Sequence, residues 1–145
     1  MLKLVADNTI PAMSEAAIDK VRQLEAIVGT LPQVQIRTHH FLHAGMYSRT
    51  VFVPAGVLIT GVLIKVPTLL ISDGDATVYV DGTPMFLRGR CVVRAEGGRK
   101  QAFFAETDLH LTMLFATSAA TVEEAEAEFT SEPELLQTRR TECPV

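Results

Sequence analysis

Residues 56–82, GVLITGVLIKVPTLLISDGDATVYVDG, decide the fold. This is the longest apolar region of the chain, and turn signals punctuate it: Gly61 early, Asp73-Gly74-Asp75 in the middle, Asp81-Gly82 at its close. Such a run suits buried strands or a buried helix. Its β-branched and aromatic residues, among them Val57, Ile59, Val62, Ile64, Ile71 and Tyr79, decide for strands.

The same pattern continues on both sides. Strands are expected over 34–41, 47–53, 57–66 with a kink at Gly61, 69–72, 76–80, 85–88, 91–95, 101–105 and 109–116. Ala44-Gly45, Pro54-Ala55-Gly56, Gly89 and Gly97-Gly98 supply turns between them, and Pro67 marks an edge or a bend. Short strands spaced by Gly, Asp and Pro turns are the signature of an antiparallel sandwich or barrel.

Helices are expected at the two ends. Residues 14–28 carry an apolar stripe at helical spacing (Ile18, Val21, Leu24, Ile27, Val28), with Ser14 as N-cap, Glu15 in the first turn and Gly29 past the end. That stripe suits docking on the core or on a second subunit. Residues 121–129 open with the capping box Thr121-x-x-Glu124, and Pro133 ends the helical pattern. Residues 1–12 form an apolar lead able to add a strand. Residues 134–145 form a polar tail containing Leu135 and Leu136, which a second subunit could hold.

The totals bound the class. The chain has 145 residues, 48 % hydrophobic and 21 % charged, which suits one domain with its own core. A formal charge of −4 argues against a large basic nucleic-acid surface. The two cysteines, Cys91 and Cys143, form no CxxC and are read as reduced thiols, Cys91 in a core strand and Cys143 exposed in the tail. No apolar segment is long enough for a membrane helix, and the first twelve residues lack signal-peptide character. A soluble protein is expected, located in the cytoplasm (of a host cell, if phage-encoded) or in a virion.

Residues 78–115, VYVDGTPMFLRGRCVVRAEGGRKQAFFAETDLHLTMLF, resemble the second half of a cupin: a hairpin at Asp81-Gly82, a strand, Gly89, another strand, a loop over 96–100 and a closing strand. Phe41, Gly45, Tyr47-Ser48-Arg49, Pro54-Ala55-Gly56 and Thr60-Gly61 extend the likeness to small cupin-like proteins encoded by tailed bacteriophages. The order of several weak motifs over residues 38–128 carries it. The resemblance implies a small barrel that pairs with a second copy through its sheets. It also implies a metal site of two His and a Glu on one strand and a third His on a later one. Here the first stretch, residues 61–68, has no His or Glu, the later position falls near Gln101, and Phe115 stands where phage relatives carry a His. No metal and no cofactor are therefore expected, and dioxygenase or metal-dependent isomerase chemistry is not expected either.

Other residues able to carry chemistry are few. His39, His40, His43 and His110 are the histidine set; on a strand His39 and His43 share a face and His40 lies opposite. A three-histidine site requires the 109–116 strand to lie beside the 34–41 strand. Tyr47 and Arg49 share a face and suit an anionic or carbonyl ligand, although Arg49 could instead pair with Asp108 or Glu106. Lys65, the only charge in residues 57–72, belongs either in a pocket or at an edge with its stem on apolar surface. Arg88, Arg90, Arg94, Arg99 and Lys100 form a basic cluster suited to phosphate or an acidic partner, or to a solvated face balanced by Glu96, Glu106 and Glu124. No GxSxG, HExxH, P-loop or GxGxxG occurs, and Ser48, His110 and Asp108 lack the context of a triad.

The expected fold is all-β: a small antiparallel β-barrel or jelly roll of cupin type with an N-terminal α-helix and a short C-terminal helix. The arm and helix occupy residues 1–33, the barrel 34–118 and the last helix and tail 119–145, within one structural domain. Tyr47, Arg49, Lys65, Gln101 and His110 are the candidate ligand-binding residues, with none catalytic. The expected function is a metal-free binding module for a ligand, such as a small anion, or a protein. A structural part of a phage particle and a metal-independent isomerase or epimerase are the alternatives. A homo-oligomer is expected, with no membrane and no nucleic acid as partner.

Overall fold

Turn geometry cuts the apolar sequence into strands. Ala44 and Gly45 both have left-handed backbone (φ 54° and 73°), which the tight turn over 44–45 requires. Gly74 has φ 127°, and a Cβ there would run into the Asp108 carbonyl, so only glycine lets those two turns touch.

The computed structural model describes residues 9–80 and 82–136. The elements run in the order β1 (Thr9–Ile10), α1 (Glu15–Val28), β2 (Arg37–His43), β3 (Met46–Val53), β4 (Leu58–Thr60), β5 (Thr68–Asp73), β6 (Ala76–Val80), β7 (Thr83–Leu87), β8 (Arg90–Ala95), β9 (Ala102–Ala105), β10 (Leu109–Ala116) and α2 (Val122–Phe129). A 3-10 turn over Pro133–Leu135 comes after α2. The apolar lead over 1–8, Asp81, most of the polar tail (137–145) and Cys143 lie outside the described residues.

The strands form two sheets. One has six strands in the order β1-β8-β5-β10-β3-β2; the other has four, β4-β9-β6-β7. All pairings are antiparallel except β1 with β8, which is parallel. The sheets do not close on each other, so the expected barrel is an open two-sheet jelly roll.

The 57–66 strand is also corrected. Only Leu58–Thr60 is in a sheet. Residues 61–67 cross between the sheets, with Ile64 making one bridge to Arg99. Their amides bond to other backbone instead: Gly61 to the Gln101 carbonyl (2.9 Å), Ile64 to that of Arg99 (2.8 Å) and Lys65 to that of Phe129 (2.7 Å).

Inward residues alternate along each strand, as the pleat demands. Thr68, Leu70 and Ser72 of β5 and Leu109, Leu111, Met113 and Phe115 of β10 point into the core. Both helices share that core through Ala17, Val21, Ala125 and Phe129. Ser14 caps α1 by accepting from the Ala17 amide (3.1 Å), and Thr121 caps α2 by accepting from that of Glu124 (3.1 Å). The Glu124 carboxylate reaches the Ala120 amide rather than that of Thr121, so the capping box is only half formed. The buried stripe of α1 is narrower than its sequence indicates, with Ile27 62 % exposed. Gly29 stays right-handed at φ −63° and donates to the Glu25 carbonyl. Cys91 is half-buried against the core.

Candidate ligand cavity

Between the sheets lies a partly open cavity of about 190 Å³. The large sheet contributes Thr38 (β2), Arg49 and Val51 (β3), Leu70 (β5), and Leu111 and Met113 (β10). The small sheet and the crossing segment contribute Ile59, Thr60, Val62 and Phe103, and the loop before β9 adds Arg99 and Gln101. Phe129 of α2 and Leu136 complete the wall. Most of this lining is apolar, as small-molecule sites generally are, with a few polar groups set among it.

The five candidate residues separate in space. Arg49 and Gln101 line the cavity. Tyr47 points to the same side of β3 as Arg49 but is fully buried beside the cavity, outside its lining. Lys65 is solvent-exposed in the crossing segment and outside the cavity lining. His110 is exposed on the outer face of the large sheet, with its ring edge against Phe52 (4.6 Å between centroids), and is no part of the cavity. The adjacency needed for a three-histidine site is absent, because β3 lies between β2 and β10.

Arg49 is held by α2. Its guanidinium lies 3.5 Å from the Glu126 carboxylate, and the two side chains are only 11 % and 2 % exposed. Beside this pair, Tyr47 Oη and His40 Nδ1 are 2.8 Å apart, and Tyr47 stacks on Phe129 (6.0 Å between centroids). Burial raises the Tyr47 hydroxyl above its ordinary value of 10.0, while burial and then the Arg49 charge lower His40 from 6.5.

Gln101 is 4 % exposed, and its Nε2 is buried without a hydrogen-bond partner. Arg99 is also buried and donates to the Glu96 carbonyl (2.6 Å) and Thr68 Oγ1 (2.8 Å). Burial lowers its guanidinium to about 10, which leaves it charged at neutral pH.

The basic cluster disperses. Arg88 pairs with Glu106 (3.3 Å) and Arg90 with Asp73 (3.8 Å) on the surface, while Arg99 and Lys100 turn inward. The Lys100 ammonium is fully buried and meets Glu25 (3.2 Å), the Gly61 carbonyl (2.9 Å) and Glu132 (3.5 Å). Arg22 also reaches Glu132, at 3.0 Å. For Glu132, burial pushes the carboxyl up, but the Arg22 hydrogen bond and the Lys100 and Arg22 charges outweigh it, and the net shift is down from 4.5.

These shifts give stability a pH dependence of known sign. The folded values of His40 and Glu132 lie below their unfolded ones, so each group contributes stability above its unfolded value and loses it as pH falls through the folded one. Urea midpoints are expected to hold near neutrality, to decline below about 6.5 as His40 protonates, and to decline again below about 4.5 as Glu132 does. A midpoint that stays flat down to pH 4 in the wild type contradicts this, as does a His40→Gln variant that keeps the first decline.

A metal of the kind the resemblance implies does not fit these residues. The stretch over 61–68 carries no His or Glu, and Gln101, an amide, stands at the later position, where imidazole and carboxylate donors are needed. Among the described residues, no group of three or more His, Cys, Asp or Glu is placed to hold a metal ion.

Sequence reasoning did not bring Phe129, Leu136 or Glu126 to the site. Leu136 sits in what reads as a polar tail, and nothing in VEEAEAEF singles out Glu126. Strand parity with Arg49 could have found Val51.

No family model matches the chain, and no curated protein sequence shows significant similarity to it. Solved structures do. Ectoine synthase from P. lautus matches with a TM-score of 0.51 at 14 % identity, over 68 % of this chain and 76 % of that one. A salicylate 1,2-dioxygenase from Pseudaminobacter salicylatoxidans also matches at 0.51 and 14 %, over 79 % of this chain and 35 % of that one. The cupin domain of an XRE-family transcriptional regulator from Enterobacter cloacae has a TM-score of 0.48 at 14 % identity, over 59 % of this chain and all of that domain. At this level of identity the likeness to the two structures at 0.51 is one of fold.

Proposed function

We propose that this cupin-type jelly roll is a non-catalytic binding module that holds a small molecule between its two sheets. The observation that carries this reading is the cavity itself: an apolar space whose wall includes Gln101, with its buried Nε2 lacking a partner. A filled interior is what a purely structural part of a particle calls for. A metal-independent isomerase needs an acid and a base at the cavity. Here Tyr47 and His40 bond to each other outside its lining, and Lys65 is on the surface. The reading extends to a phage-encoded protein only through the resemblance over residues 38–128.

Toluene tests the proposal, since a cavity of this kind takes up a single apolar ring. Near-saturating toluene is expected to raise the melting temperature of the wild type by several degrees through binding to the folded state. Val62→Phe, which fills the cavity, is expected to abolish that rise. No rise in the wild type, or an equal rise in the filled variant, contradicts the proposal.

A further inference from the structure

The lining of the cavity is one-sided in charge. Its polar members are Thr38, Arg49, Thr60, Arg99 and Gln101, and no Asp or Glu is among them. Two arginines and a glutamine therefore line a space that is otherwise largely apolar. Arg99 has both terminal nitrogens engaged, with the Glu96 carbonyl and Thr68. Arg49 is engaged differently. It is hydrogen-bonded with Tyr47, and the Glu126 carboxylate is 3.5 Å away, longer than the roughly 2.7–2.9 Å of a close charge-assisted hydrogen bond. The protein thus already places a carboxylate against Arg49, at long range and from the α2 side.

Resting on the binding reading above, we propose that the cavity takes a small organic acid, with an apolar body of about one ring and a single carboxylate. The volume suits it: about 190 Å³ is available, and an apolar cavity of about 150 Å³ is known to hold benzene. The ring lies among Val62, Leu70 and Met113, and the carboxylate goes to Arg49, whose planar fork matches two carboxylate oxygens. Glu126 is then a built-in competitor, because two carboxylates near one guanidinium repel each other. Ligand affinity is set by the balance between the incoming acid and Glu126.

That competition gives the two ends of the pair opposite signs. Calorimetric titration of the full chain at pH 7 with benzoate, benzamide and benzylamine separates the cases. Benzoate is expected to bind at least tenfold more tightly than benzamide, and benzylamine not at all. Arg49→Met is expected to bring benzoate down to the affinity of benzamide. Glu126→Gln is expected to tighten benzoate severalfold and leave benzamide unchanged; it keeps the side chain's size, so it stands as an independent arm should Arg49→Met fail to fold. Equal binding of benzoate and benzamide overturns the acid assignment while toluene uptake leaves the cavity reading standing. Failure of toluene and of all three probes overturns both. Benzoate binding that survives Val62→Phe places the acid site elsewhere and also overturns the assignment.

Discussion

Lys100→Met is expected to lower the folding stability by about 3 kcal/mol, read as a shift in the urea midpoint at unchanged slope. The Lys100 side chain is fully buried, and its ammonium joins three parts of the chain: Glu25 on α1, the Gly61 carbonyl in the crossing segment and Glu132 after α2. Methionine replaces the aliphatic stem but not the charge. Glu132, 10 % exposed, then keeps only Arg22 among the described residues, while Glu25, 31 % exposed, turns to water. Breaking a buried pair costs about 3–5 kcal/mol because it strands the remaining charge, and Arg22 holds this case to the lower end. Arg22→Ala is expected to cost less than about 1 kcal/mol, since Arg22 is 43 % exposed. Adding Glu132→Gln to Lys100→Met is expected to restore part of the loss. A loss below about 1 kcal/mol for Lys100→Met contradicts the clamp.

Phe129→Ala is expected to cost about 4 kcal/mol, a fall in melting temperature of roughly 10 °C. Phe129 is 1 % exposed, stacks on Tyr47 and meets Phe115 edge-on at 6.1 Å between centroids. It is also a wall of the cavity, so its removal enlarges an existing space. The variant is therefore expected to take up toluene with a larger rise in melting temperature than the wild type. A loss below about 1.5 kcal/mol means that α2 is not seated where the Arg49–Glu126 pair places it.

Much of the fold is legible in the sequence where local signals are unambiguous. The strands Ala76–Val80 and Leu109–Ala116 have the expected bounds, because turn residues flank them closely and β10 alternates cleanly. Ser14 and Thr121 cap their helices as their side chains require. The run over 57–66 is harder to read. It is apolar because it passes between two sheets, and burial of that kind looks the same whether its amides join a ladder or bond singly to distant carbonyls.

The site is legible only in part. Parity along β3 is local, so the shared side of Tyr47 and Arg49 is visible. What surrounds Arg49 is not local: Glu126 lies in α2, and nothing in VEEAEAEF marks one glutamate as buried. Lys100 comes directly after Arg99 in a glycine loop and reads as surface charge, yet its partners are 75 and 32 residues away. Lys65 is the opposite case. Its apolar neighbours leave open both a pocket and an edge, and the crossing segment turns it to solvent.

A crystal structure under xenon pressure is the most direct test of the open interior, since xenon enters apolar cavities. Xenon is expected between the two sheets, in contact with Val62, Leu70 and Met113. Those side chains closed against one another, with no xenon between the sheets, would contradict a cavity built to hold a ligand.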